Sequence, residues 1–317
     1  MSLAGHLWTV APRLQPLPPE PPWRGWSTTV PDPVTGPIRL TGRLSERPGA
    51  RGAVLLVHGI SGSCDSRYMR TAAAAALAAG LSCLRLNLRG CDRLGEDYYH
   101  AGLASDLVAV LDVPELAAYR DLYAIGFSLG GHLVLRLATD APPPRLRAVA
   151  GVCAPLDLAA CQRANDRPAS ALYRAYLLRG LKEIYAAVAA RRPVPAPVEV
   201  VRRVRTVKAW DETVVAPRFG FAGADDYYAR ESVAPRLGHL EVPALLVAAE
   251  ADPMVPVAVL RPVVERAACP RLTVRWIGGG HLGFPDGLLL EPPADGPPCP
   301  DPATLDAQIL AWLEAQA

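Results

Sequence analysis

Residues 121–138, DLYAIGFSLGGHLVLRLA, constrain this chain more than any other segment. A short apolar run, Asp121–Phe127, ends inside the sequence Gly126-Phe127-Ser128-Leu129-Gly130, and a helical stretch to Ala138 follows at once. A strand that passes directly into a helix needs a sharp turn. That turn puts its central serine in a strained backbone conformation and crowds the positions two before and two after. Gly126 and Gly130 occupy those positions, and Gly131 gives the helix room to approach the sheet. Five residues with three fixed recur by chance, so the strand-to-helix setting is what makes the pattern specific.

The rest of the chain agrees with a sheet around this turn. Ala53–Val57 is an apolar run ending at His58-Gly59, and residues 67–79 suit a helix. Ser82–Leu88 is a second strand. A helix over about 101–118 is broken or ended near Pro114. Arg147–Cys153 is a further strand after the Ser128 turn. Short, nearly all-apolar strands alternating with helices describe a mostly parallel sheet covered on both faces, an α/β fold. The alternation stops over 157–237, which reads as an inserted helical cap. It resumes with Ala244–Ala248, a helix near 256–267, and Leu272–Ile277. A last helix, about 303–316, places Leu305, Ile309, Trp312 and Leu313 on one face. The expected organisation is a core of residues 36–156 and 238–317, a cap of 157–237, and a proline-rich arm of 1–35. Residues 36–44 read as a strand of an N-terminal antiparallel pair. Residues 11–33 are expected to be extended, neither helix nor central strand, and packed over the body; a P-x-x-P ligand for another domain is the alternative.

The formal charge of +2 gives no electrostatic reason to expect nucleic acid. The seven cysteines, Cys64, Cys83, Cys91, Cys153, Cys161, Cys269 and Cys299, include no C-x-x-C pair and no zinc spacing, and their odd number argues against a complete disulfide framework. No metal or cofactor is implied. The N-terminus lacks a basic region followed by an apolar stretch, and no apolar run reaches the length of a membrane span. A cytoplasmic location is the expectation.

A serine hydroxyl becomes a nucleophile when a histidine takes its proton and a carboxylate orients that histidine. In a sheet of this kind the two partners follow the serine, acid first, each on a loop after a strand. ALLVAAEADP ends at Asp252 and LTVRWIGGGH ends at His281. Gly278, Gly279 and Gly280 give a mobile or tightly turned approach to the imidazole. Glu250 and Asp157 are substitute acids, and Asp252 followed by Pro253 could instead cap a helix. His132 lies within the elbow helix, and His6, His100 and His239 lie outside strand ends of the right order. The backbone N–H groups of Ile60 and Leu129 are the candidate oxyanion donors, with His58 bracing the loop that carries Ile60. His281 and Asp286 also fit H-x-x-x-x-D, an acyltransferase spacing, which overlaps the residue already assigned. Arg191, Arg192, Arg202, Arg203, Arg205 and Lys208 form a basic stretch, read as a solvated face, with weak membrane-surface contact as the alternative.

The chain resembles the YheT-like branch of the α/β-hydrolases. The residues that carry the resemblance are HGISGSCDSRYMR at 58–70, LNLRGCDR at 86–93, GFSLGG at 126–131 and CAPLDLAAC at 153–161. It continues through VRRVRTVKAWDETVVAPRFGFAGADDYYARES, AEADPMVP and GGGHLGF. It runs from about residue 50 to 285 and does not extend to the arm. It implies a carboxylic-ester hydrolase acting through Ser128, Asp252 and His281, on a small acyl ester or a lipid. An acyltransferase or thioesterase would use the same acyl-enzyme, and a binding protein on the same scaffold would need neither base nor acid.

Overall fold

The computed structural model describes residues 3–290 and 304–317. Its eight strands form one sheet: β1 (Arg24–Val30), β2 (Ile38–Ser45), β3 (Gly52–Val57), β4 (Ser82–Asn87), β5 (Asp121–Phe127), β6 (Leu146–Val152), β7 (Ala244–Ala249) and β8 (Leu272–Ile277). Their order across the sheet is β1-β2-β4-β3-β5-β6-β7-β8. The two N-terminal strands pair antiparallel, β2 pairs antiparallel with β4, and every other pairing is parallel.

Strand alternation divides the core into two layers. On β3, Leu55 and Val57 face one layer while Val54 and Leu56 face the other. The first layer is covered by helices Ala104–Leu111, Leu129–Leu137 and Val257–Ala267. Met69, Ala72, Ala73 and Ala76 of helix Arg67–Ala78 cover the second, with Ile309, Leu310 and Leu313 of helix Leu305–Glu314. Between β6 and β7 the chain is helical, from Leu158–Asn165 through the long helix Ala171–Ala189 to Ala224–Glu231. No helix among the described residues is long and apolar enough to cross a membrane. Cys299 lies outside the described residues; the other six cysteines are free thiols.

The arm departs from the expectation at residues 11–14. Residues 16–23, which hold the run PLPPEPP, are without regular structure and Arg24–Val30 is an edge strand, but Leu3–Leu14 is a helix. Prolines explain the division. Leu3–Leu14 contains only Pro12, near its end, and Arg24–Val30 contains none, so both segments keep the N–H groups their structures need. The extended piece packs on the body. Glu20 is ion-paired with Arg43, Arg70 and the fully buried Arg85 of β4, and the Arg43 guanidinium lies 3.9 Å from the Trp23 ring centroid.

A second charged cluster joins the helical segment to the sheet. Arg89, just after β4, makes two bonds of 2.7 Å to Asp106 and bonds of 2.7 and 3.1 Å to Asp32 and Asp97. Arg218, from the helical segment, bonds the same Asp32 and Asp97 at 2.9 and 2.6 Å. The sequences LNLRGCDR and APRFGF, distant in the chain, therefore meet through one set of carboxylates. Burial alone would raise Asp32; the N–H groups of Thr35 and Val34 and the Arg89 guanidinium hold its carboxyl well below the usual carboxylate range.

Candidate active site

Ser128 stands between β5 and helix Leu129–Leu137 with φ 53° and ψ −118°, a conformation that costs free energy for a residue with a side chain. Its surroundings leave no other choice. The Ser128 N–H donates to Val152 O at 2.8 Å, and its carbonyl accepts from His132 N at 3.1 Å. A Cβ on Gly126 would lie 2.0 Å from Gly130 O, and one on Gly130 would lie 2.2 Å from Val57 O. Both positions must be glycine for the helix to reach the sheet.

Asp252 follows β7 and His281 follows β8. His281 Nδ1 lies 2.8 Å from Asp252 Oδ2, and His281 Nε2 lies 3.0 Å from Ser128 Oγ. A carboxylate only accepts, so the ring proton sits on Nδ1 and the Nε2 lone pair faces the serine hydroxyl. All three side chains are buried. Asp252 Oδ1 accepts from the N–H groups of Met254 and Val255 at 2.8 and 2.9 Å. Asp252 does not cap a helix, since the next one begins at Val257 with Pro256 before it; one of its oxygens holds the turn at 254–255 and the other meets His281. The substitute acids are elsewhere. Glu250 is exposed, and Asp157 caps helix Leu158–Asn165 through Ala160 N; Asp286, the acid of the H-x-x-x-x-D spacing, is exposed.

The loop after β3 closes the other side. A Cβ on Gly59 would come within 3.0 Å of Ser128 Cβ, so the loop lies against the serine. His58 braces it from beneath. Its Nε2 accepts from Leu88 N at 3.1 Å, which leaves Nδ1–H to donate to Gly59 O at 2.7 Å. Burial pushes the imidazole down to about 4, so it is neutral in this role. Ile60 and Leu129 line the same cavity as Ser128 and His281, and among the described residues neither backbone N–H finds an acceptor.

One contributor had no signal in the sequence. The His281 N–H donates to Thr9 Oγ1 at 2.8 Å, and the Thr9 hydroxyl donates to Gly5 O at 2.7 Å. Helix Leu3–Leu14 lies so close that a Cβ on Gly280 or Gly283 would be 2.2 or 1.8 Å from the carbonyl oxygens of Gly5 and Trp8. A Cβ on Gly5 would be 1.9 Å from Ala251 O, beside Asp252. Gly280 and Gly283, on either side of His281, therefore admit a helix. Their density was visible in the sequence; the helix that fills the space was not.

Two cavities meet at Ser128 and His281. The inner one, about 110 Å³, runs under the helical segment past Leu158, Leu177, Trp210 and Val255. The outer one, about 530 Å³, opens between Thr9, Pro12 and Leu17 on one side and Tyr68 on the other. Cys153, Asp252 and His281 present ligand-type atoms within 4.8 Å of one another, the grouping nearest to a metal site among the described residues. Its chemistry does not suit a metal. Burial pushes the Cys153 thiol well up, away from the thiolate a metal binds, and both Asp252 oxygens and both His281 nitrogens already have partners. Of the basic stretch, Arg191, Arg202, Arg203, Arg205 and Lys208 are exposed, and Lys208 pairs with Asp225.

The site and its scaffold have relatives. A family model described as the alpha/beta hydrolase fold matches residues 52–288. The chain is 32% identical over 275 residues to a protein of Escherichia coli (strain K12) named "Putative esterase YheT", covering 82% of this chain and 76% of that one. It is 26% identical to the phospholipase ABHD3 of Mus musculus, where it spans 75% of its own length but only 59% of the relative's. Among solved structures, the Pyrococcus furiosus esterase Pf2001 superposes with a TM-score of 0.54 at 16% identity, covering 82% of this chain and 85% of that one. The 2,6-dihydroxy-pseudo-oxynicotine hydrolase does so at 0.57 and 18% identity, covering 98% and 71%. These two likenesses concern the fold alone. The matched span and the YheT relationship place the chain in a family: it belongs to the α/β-hydrolases.

Proposed function

We propose that the protein is a serine hydrolase that cleaves carboxylic esters through an acyl-enzyme on Ser128. The observation that carries this reading is the continuous hydrogen-bond chain Asp252–His281–Ser128, with links of 2.8 and 3.0 Å, opening on a cavity. His281 Nε2 takes the hydroxyl proton as Oγ bonds to the ester carbonyl carbon, and the carbonyl oxygen becomes an oxyanion between the N–H groups of Ile60 and Leu129. The same proton then passes to the departing alkoxide as the C–O bond breaks. Water, deprotonated by His281, attacks the acyl-enzyme, and the proton returns to Ser128 Oγ as the acid leaves. Asp252 keeps the imidazole in the required tautomer throughout.

Hydrolysis of p-nitrophenyl acyl esters of increasing chain length by wild-type and Ser128→Ala protein tests the reading. Turnover confined to the wild type is expected. A folded wild type that turns over none of the series would favour a binding role for the cavity. An acyltransferase or thioesterase outcome shares every step up to the acyl-enzyme and differs only in the leaving group or the acceptor.

A further inference from the structure

One wall of the inner cavity is built of polar groups that the proposed reaction does not use. His100, Tyr227, Tyr228 and Asp211 all line it. They form one contiguous surface: the His100 and Tyr227 ring centroids are 5.7 Å apart, those of Tyr227 and Tyr228 are 5.3 Å apart, and the Tyr228 hydroxyl donates to Asp211 Oδ2 at 2.5 Å.

Two of these side chains are each more than nine-tenths buried and hold a polar atom in reserve. His100 is 7% exposed, and its Nδ1 accepts from Gly102 N at 3.1 Å, which puts the ring proton on Nε2. Among the described residues nothing accepts that proton. Asp211 is also 7% exposed, and its Oδ1 has no donor among the described residues. Both residues line the cavity, so one unpaired donor and one unpaired acceptor face it, an arrangement that points to a ligand that satisfies them. Burial pushes His100 down to about 3 and Asp211 up to about 7. Around neutral pH the wall therefore presents a neutral imidazole and a carboxyl near its midpoint, which suits an uncharged group that both donates and accepts. Asp211 also opens the wide turn Asp211–Val215, a π-type irregularity of the kind that recurs at functional sites.

We propose that this wall is a hydroxyl-recognising subsite, and that the preferred substrates are esters whose buried portion carries a hydroxyl group in place of a plain alkyl end. The proposal rests on the reading of Ser128 as the ester-cleaving nucleophile and names the substrate class of that site. The hydroxyl donates to Asp211 Oδ1, while His100 Nε2–H presents a donor to the same cavity. It belongs to the acyl or to the alcohol portion, whichever enters the inner cavity.

The test measures kcat/KM of the full chain on two matched pairs: phenyl hexanoate against phenyl 6-hydroxyhexanoate, and hexyl acetate against 6-hydroxyhexyl acetate. A preference of about ten-fold or more for the hydroxylated member of one pair is expected, because an alkyl end leaves the wall unpaired, and that pair identifies the portion bound. Asp211→Leu and Tyr228→Phe should each bring the ratio toward one. The ratio is the readout, so a change in overall activity does not enter it, and Tyr228→Phe serves if the Asp211 variant does not fold. Equal turnover within both pairs would overturn the subsite, leaving the wall to bind water, while the hydrolase reading stands. A preference retained in both variants would also overturn it. A larger preference for the 6-amino analogues would replace it with a cation site. Failure to cleave any of the four esters would remove the hydrolase reading and the subsite with it.

Discussion

Ser128 and His281 face each other across 3.0 Å, yet the chain holds them in opposite ways. Ser128 is fixed by its own neighbourhood: β5 before it, the elbow helix after it, and glycines at 126 and 130 that permit the close packing. His281 sits on a loop after β8, near the edge of the sheet, and its backbone is tied to Thr9, a residue 272 positions earlier. The sheet and its elbow position Ser128, the proposed nucleophile. His281, the proposed base, is tied in addition to an N-terminal helix outside the span matched by the family. The two halves of the proposed reaction centre thus rest on different parts of the chain.

That contrast can be broken in graded steps. Ser128→Ala should lower kcat by about 10⁴-fold or more while leaving the melting temperature close to wild type, since it removes the nucleophile and little packing. Deleting residues 1–14 should come next. The core has its own sheet, so the protein should remain folded by circular dichroism, while kcat falls by about 10- to 100-fold as the His281 loop loses its support. If activity were unchanged, the helix would be only a cover. Thr9→Val keeps the shape but leaves the His281 N–H without its acceptor, a loss of about 1–3 kcal/mol at a buried group. A fall in kcat of about ten-fold with little change in KM is expected, and Thr9→Ser should restore most of it.

The smallest effect on catalysis should come from Asp32, whose side chain is 7% exposed between Arg89 and Arg218. Asp32→Asn should leave kcat near wild type but cost about 3–5 kcal/mol of stability by uncovering buried positive charge. The sign with pH follows from the lowered carboxyl. Its contribution is complete above 3.8, the ordinary value, and is lost as pH falls below that toward the depressed value of the folded state. Urea unfolding of both proteins from pH 7 to pH 3 should therefore show the gap between them narrowing only at the acid end.

What the sequence disclosed follows the same division. The strands around Ser128 were legible because they are short, wholly apolar and bounded by glycines or helices, and the order acid then histidine is a property of the fold. Asp252 and His281 stand just beyond the predicted strand ends, within hydrogen-bond reach of each other, and His281 is within reach of Ser128. In the arm, extended chain fails only at residues 11–14, where the prolines that dominate the composition of 11–33 are represented by Pro12 alone. PLPPEPP sets the conformation of residues 16–22 alone, and the helix before it and the strand after it follow their own local preferences. Thr9 was invisible for a deeper reason. A hydrogen bond between residues 272 apart leaves no periodicity or motif, and only the excess of glycine at 278–280 and 283 hinted that something approaches closely. The His100–Asp211 wall was similarly hidden, because its members come from a loop and from two helices of the segment between β6 and β7.

The most direct measurement is reaction of the wild type, Ser128→Ala and His281→Ala with a fluorophosphonate, read by intact mass and peptide mapping. The expected result is one phosphonyl group per wild-type chain, mapped to Ser128, none on Ser128→Ala, and labelling slowed by orders of magnitude in His281→Ala. A folded wild type that takes no label, or a Ser128→Ala protein that labels as fast as wild type, would contradict the assignment of Ser128 as an activated nucleophile.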